Sequence, residues 1–163
     1  MRAPTVAHGQ FTVEREYPVS PERVFEAHAV ADQKIQWFAV PDGEFISAIE
    51  AFSLDFRVGG MERMVARLAS GKEMVLETRY WDIVPGERIV ATYDVVIDGR
   101  RLSVSLWSVF LAPTATGTKL ITVEDGAFLD DLDHAPARLQ GVTYDYDNLG
   151  RYLERAPAAA AAM

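Results

Sequence analysis

The chain has 163 residues, 16 Lys and Arg against 24 Asp and Glu, and a formal net charge of −8; a chain of this length buries roughly 70% of its unfolded surface as one domain. The acidic balance excludes a nucleic-acid backbone as an expected partner, the absence of Cys excludes disulfides, thiolate nucleophiles and Cys-ligated zinc, and no run approaches the ~18 apolar residues of a membrane span. Met1-Arg2-Ala3-Pro4-Thr5 has no apolar core of a secretory signal, so a soluble, cytoplasmic protein is expected.

Residues 10–17 alternate, with Phe11, Val13 and Tyr17 on one face and Gln10, Thr12, Glu14 and Glu16 on the other. That pattern predicts a strand with one wet face. Pro18 ends it. A helix start follows: Ser20 is a good N-cap, Pro21 fits the first helical position, and Glu22 suits the positive end of the dipole. Val19 and Val24 have the spacing of a hydrophobic staple. A second short helix is expected from about Asp32, carrying Ile35, Trp37 and Phe38, until Pro41-Asp42-Gly43 breaks it.

From about residue 45 to 127, β-rich stretches are separated by Gly59-Gly60, Ser70-Gly71, Pro85-Gly86, Asp98-Gly99 and Thr116-Gly117. This is the pattern of an antiparallel meander. Strands are expected near 49–57, 60–69, 73–84, 88–97, 101–112 and 117–125. A long helix over about 134–155 carries Ala135, Leu139, Val142, Tyr146, Leu149 and Leu153 at spacings of 3 and 4, with Asp133 as candidate N-cap. Residues 1–9 read as an N-terminal arm and 156–163 as a disordered Ala-rich tail, leaving one domain over 10–155. The order is an α+β arrangement of seven antiparallel strands, with two short helices after the first and one long helix to cover the sheet. A sheet curled about a helix leaves an interior gap, the default ligand site of such a layout.

Five segments carry a family resemblance. Residues 17–25, Tyr-Pro-Val-Ser-Pro-Glu-Arg-Val-Phe, are similar to a strand-to-helix passage reading F-P-A-S-P-E-R-V-W. Trp37-Phe38 stands where two tryptophans are usual. Asp55 to Gly60 resembles D-L-R-P-G-G, Ile83 to Val90 resembles I-V-P-P-E-R-L-V, and Gly117-Thr118-Lys119-Leu120 resembles G-T-R-L. Together, over about residues 10–155, they resemble the SRPBCC (START-like, helix-grip) superfamily, and within it the bacterial homologues of the activator of the ninety-kilodalton heat-shock ATPase. The resemblance implies a helix-grip fold with a deep cavity. That superfamily hosts lipid and hormone carriers, cyclases and chaperone co-factors, so the fold alone names no function. Val58, Glu62 and the segment Glu124 to Phe128 depart from the family pattern beside the expected cavity.

Alternation places Ile89, Ala91, Tyr93 and Val95 on the inner face of their strand, and Leu102, Val104, Leu106 and Phe110 on that of the next. The family pattern places Glu77, Arg79, Trp81 and Ile83 inward, and likewise Glu62, Met64, Leu120, Thr122 and Glu124. Arg79 held by Glu62 or Glu124 would then anchor a polar group, since buried charges must pair. A one-residue slip would move each of them to solvent. The expected ligand-binding set is Trp37, Phe38, Glu62, Arg79, Trp81, Tyr93, Phe110, Glu124, Val142 and Tyr146, with Tyr144 among the aromatics that are either cavity wall or plain core.

His28 and His134 with Asp130, Asp131 and Asp133 lack metal-ligand spacing, and Gly59-Gly60 opens no phosphate loop, so no metal and no cofactor is expected. No G-x-S-x-G or Cys nucleophile occurs. The expected function is binding of a small apolar or amphipathic molecule. The alternatives are a cyclase-, aromatase- or hydratase-like enzyme using the cavity carboxylates, and a co-chaperone stimulating a heat-shock ATPase. Trp107, Val109 and Leu111 would face outward and form a homodimer contact.

Overall fold

A computed structural model describes residues 2–156. The expected tail beyond Ala156 lies outside the described residues. Strand β1 (Val6–Tyr17) leads into helices α1 (Pro21–Ala29) and α2 (Ala31–Lys34). Strands β2 (Ile46–Leu54), β3 (Met61–Leu68), β4 (Glu73–Val84), β5 (Arg88–Ile97), β6 (Arg100–Pro113) and β7 (Thr118–Leu129) follow, and helix α3 (Ala135–Arg155) closes the order. The seven strands form one sheet in the order β1-β7-β6-β5-β4-β3-β2, each pairing antiparallel. Residues 6–9, expected in an arm, extend β1 and pair with β7 as far as Leu129.

Local signals act as the sequence implies at α1, where Ser20 Oγ accepts from Arg23 N. At α3 the cap is His134 rather than Asp133: His134 Nδ1 accepts from Ala137 N, which leaves Asp133 free to reach Arg138. Two turns demand glycine for lack of room. A Cβ at Gly60 would collide with the Asp55 carbonyl oxygen, and one at Gly117 with that of Tyr17.

The core has two parts. One gathers Tyr17, Val24, Trp37, Tyr80, Ile89, Val109 and Leu120 around Tyr146, Leu149, Tyr152 and Leu153 of α3. The other gathers Ile46, Met64, Ala66, Leu68, Met74 and Val95 of β2 to β5, with Ala39 of the segment after α2. The buried residues of α3 all lie in its C-terminal half. Its N-terminal half carries Ala135, Leu139 and Val142 only half-buried, so it overhangs the second core part without pressing into it.

The alternation of β6 is inverted relative to expectation. Ser103, Ser105, Val109 and Leu111 point inward and are buried, with Trp107 beside them, whereas Val104, Leu106 and Phe110 are 44%, 46% and 44% exposed. The serines face in because buried polar groups from α3 and β7 need them, as described below. Leu102 still reaches the interior because the ladder shifts between Val95 and Val96, which pair with Ser103 and Arg101. The expected homodimer row Trp107-Val109-Leu111 is therefore interior.

Strand β4 also differs. Met74, Leu76, Thr78 and Tyr80 face inward, and Glu77, Arg79 and Trp81 are exposed. Outside, the Arg79 guanidinium stacks on the Trp81 ring at 4.5 Å, and Trp81 Nε1 donates to Thr92 Oγ1 at 2.9 Å. A charge such as Arg79 on the inner face would displace Tyr80, which is fully buried. The shift in the ladder between Tyr80 and Asp82 then returns Ile83 to the core, as expected.

This register has a direct test in urea unfolding. Val109→Asp should cost roughly 4 kcal/mol or more, because it buries an unpaired carboxylate. Phe110→Ser should cost under about 1 kcal/mol. The reverse ranking would restore the register expected from alternation.

Candidate functional site

The overhang of α3 leaves a cavity of about 630 Å³ between the helix and the sheet. Its apolar wall comes from Met64, Met74, Leu76, Val95, Ile97 and Leu102, together with Trp37, Phe38, Trp107, Val142 and Tyr146. Asp42 and Phe45 of the segment before β2, together with Ala137, Gln140 and Gly141 of α3, are exposed members of the lining and mark its mouth. Of the expected ligand-binding set, Trp37, Phe38, Glu62, Tyr93, Glu124, Val142 and Tyr146 line the cavity, as does Tyr144. Arg79, Trp81 and Phe110 do not, for the register reasons just given.

Two buried polar clusters stand in the wall. In the first, Lys34 Nζ lies 2.6 Å from Glu62 Oε1, which also accepts from Tyr80 Oη at 2.6 Å. The Lys34 and Glu62 side chains are 4% and 3% exposed. The ammonium also lies over the rings of Phe38 and Trp107 at 4.8 and 5.6 Å. Burial first, and then the Glu62 carboxylate, push the Tyr80 hydroxyl well above its ordinary range, so it stays a donor.

In the second cluster, Arg138 crosses from α3 to the sheet. Its Nη1 donates to Tyr93 Oη at 2.9 Å and lies 3.4 Å from Glu124 Oε2. Its Nη2 donates to Ser103 Oγ at 2.7 Å and to Asp133 Oδ2 at 2.8 Å. Tyr93 Oη donates to Glu124 Oε2 at 2.7 Å. This is why Ser103 faces inward: it supplies an acceptor to a guanidinium that would otherwise be short of one. Burial raises the Glu124 carboxyl above its ordinary value, against the opposing effects of Tyr93 and Arg138. Ser105 Oγ faces the same carboxylate, near enough to favour its charge but outside hydrogen-bond geometry.

Between the clusters, Asp145 Oδ1 accepts from Ala39 N at 3.0 Å. Ala39 has φ 54, a left-handed conformation that costs about 1 kcal/mol for a residue with a Cβ. This bond, and Tyr144 Oη donating to Val40 O at 3.2 Å, tie the segment after α2 to α3. Burial pushes the Asp145 carboxyl up to about 7. Deeper in, His28 Nδ1 donates to Val24 O and Nε2 faces Tyr146 Oη. Burial holds His28 down to about 3, so its ring is neutral.

Lys34, Arg138 and Asp145 were not expected in the site. The signal was present in spacing: 135, 138, 142, 145 and 149 follow steps of 3 and 4, so Arg138 and Asp145 interrupt an otherwise apolar stripe. Among the described residues, no group of three or more His, Asp or Glu converges to hold a metal ion. No helix among them is long and apolar enough to cross a membrane.

Residues 18–154 match the family model described as activator of Hsp90 ATPase homolog 1-like protein. The chain belongs to this family. Its sheet, short helices and C-terminal helix are the helix-grip fold of the SRPBCC superfamily. Two solved structures are similar over nearly the whole chain. An uncharacterised protein from Rhizobium leguminosarum is 34% identical, with 95% of this chain and 100% of that chain covered and a TM-score of 0.89. The Mll3558 protein from Rhizobium loti is 40% identical, with 91% and 99% covered and a TM-score of 0.83. An AHSA1-like protein from Aeromonas hydrophila, 20% identical over 90% of this chain and 93% of that chain with a TM-score of 0.66, shares the fold. No curated protein matches the chain.

The clusters generate two predictions. Glu62→Gln or Lys34→Met alone should each cost about 3–5 kcal/mol, because each strands a buried charge. The double variant should recover most of that loss, since the introduced amide carbonyl still accepts from Tyr80; strictly additive losses in urea unfolding would contradict the pairing. The second concerns pH. Asp145 ionises at 3.8 ordinarily but at about 7 here, so between these values the native state binds more protons and its stability falls as pH rises. His28 opposes this, losing stability as pH drops from 6.5 toward about 3. Asp145→Asn removes the first slope, so its urea midpoint should gain on that of the parent between about pH 4 and pH 7. A constant difference across that range would show that Asp145 is not so perturbed.

Proposed function

We propose that this chain binds a small apolar or amphipathic molecule in the cavity between the sheet and α3. The observation that carries the reading is the half-buried helix: α3 is seated by its C-terminal half and leaves about 630 Å³ beneath the rest. Ligand pockets in general run from roughly 300 to 1,000 Å³, apolar in the main with a few fixed polar groups. The walls and the two buried clusters fit that description.

Ligand binding should raise the melting temperature by mass action, with about 2.7 kcal/mol of added stability at a hundredfold excess over Kd. Leu76→Trp, which fills the space from the β4 side, should fold normally and lose both the thermal shift and any mass that co-purifies in native mass spectrometry. An apolar metabolite library without effect on the parent, or a full effect on Leu76→Trp, would contradict the reading.

Family membership favours a second reading, a co-chaperone that stimulates a ninety-kilodalton heat-shock ATPase through its surface. The exposed row Val104, Leu106 and Phe110 supports it. Stimulated ATPase turnover that is lost in Leu106→Asp but kept in Leu76→Trp would favour this reading over the first.

A further inference from the structure

The cavity wall holds the carboxyls of Asp42, Glu62, Asp133, Glu124 and Asp145. Against them stand two cations, both already engaged: Lys34 by Glu62, and Arg138 by Asp133 and Glu124. Among the described residues, no cation in this wall is free to receive an acidic headgroup. Glu124 is 1% exposed, and both donors that reach it, Tyr93 and Arg138, converge on Oε2. No donor among the described residues makes a hydrogen bond to Oε1, where the Ser105 hydroxyl stands close to the carboxylate without bonding it. A buried carboxylate oxygen without a donor is costly, and in a ligand cavity it is an acceptor awaiting one.

Resting on the binding reading above, we infer that the guest is an apolar molecule carrying an O–H or N–H donor, an alcohol or an amine rather than a carboxylic acid, and that the donor is received by Glu124 Oε1. The apolar body lies along Met74, Leu76 and Ile97. The donor end reaches the wall at Glu124; Ser105, whose hydroxyl also lacks a partner among the described residues, is not itself part of the lining and stands next to that carboxylate. A carboxylate guest brings further negative charge to a wall already dominated by it and offers Oε1 nothing.

Matched ten-carbon probes test this on the intact chain by calorimetry at neutral pH: 1-decanol, decylamine, 2-decanone and decanoate. A hydrogen bond to a charged acceptor corresponds to about tenfold or more in affinity. Decanol, decylamine or both should bind at least about tenfold more tightly than 2-decanone and decanoate; which of the two leads separates a neutral donor from a cation. Glu124→Gln sharpens the test. Its side-chain carbonyl must face the donors Tyr93 and Arg138, which turns the amide N–H₂ to the place of Oε1, so the preference should invert toward the ketone. Equal binding of all four probes to the parent, or decanoate as the tightest, overturns the donor assignment while leaving the cavity reading intact. Binding of none of the four overturns both. If Glu124→Gln does not fold, the ranking on the parent alone decides.

Discussion

The guanidinium of Arg138 is the constraint on which much of this structure turns. It leaves the first turn of α3, passes into a largely dehydrated space, and meets Tyr93 of β5, Ser103 of β6 and Glu124 of β7. A charge in that position is tolerable only when its donors are met. Meeting them fixes three things at once. It sets the height of the helix N-terminal half above the sheet, turns Ser103 inward, and thereby commits β6 to the face it presents. The Lys34–Glu62–Tyr80 cluster does the corresponding work between α2 and strands β3 and β4. Between these two struts the helix does not settle onto Met64, Met74 and Val95, and the hollow is what remains.

That same constraint explains which parts of the architecture could be read from the chain. The helix start at Ser20-Pro21, the glycine turns and the succession of strands are local matters, decided by residues within a few positions of each other. Strand β5 was legible too, because Ile89, Ala91, Tyr93 and Val95 share one face by alternation, and the family pattern gave the inward residues of β3 and β7 correctly. Strand β6 was not. Its Leu-Ser-Val-Ser-Leu run at 102–106 has the look of apolar-in and serine-out, and only a partner far away in sequence, Arg138, reverses it. Arg79 misled for a related reason. The inward register for β4 came from a family pattern, whereas the fold keeps this cation outside on Trp81 and draws its interior cation from the helix. Arg138 and Asp145 of α3 went unread although they fall in its apolar stripe, and Lys34 lies in a four-residue helix too short to show a stripe.

Family membership supplies the scaffold, and the cavity wall supplies the individuality. The departures from the family pattern noted at Glu62 and Glu124 are the acidic members of the two struts. Structural support and the proposed ligand contact thus fall on the same side chains: each carboxylate neutralises a cation that positions an element, and Glu124 keeps one oxygen without a hydrogen bond from any described residue. The perturbed carboxyl of Asp145 in the same wall holds the buried, left-handed Ala39 after α2.

The central claim is that the space under the first half of α3 is hollow and apolar-walled. Methyl-resolved NMR in xenon-equilibrated solution addresses it directly, because xenon enters apolar cavities and leaves packed cores untouched. The account predicts shifts at the methyls of Met64, Met74, Val95, Ile97 and Leu102, and none at Leu120 or Leu149, which are fully buried where α3 is seated. Unmoved methyls throughout, or shifts shared equally with Leu120 and Leu149, would mean that the helix lies flush on the sheet and that there is no chamber to fill.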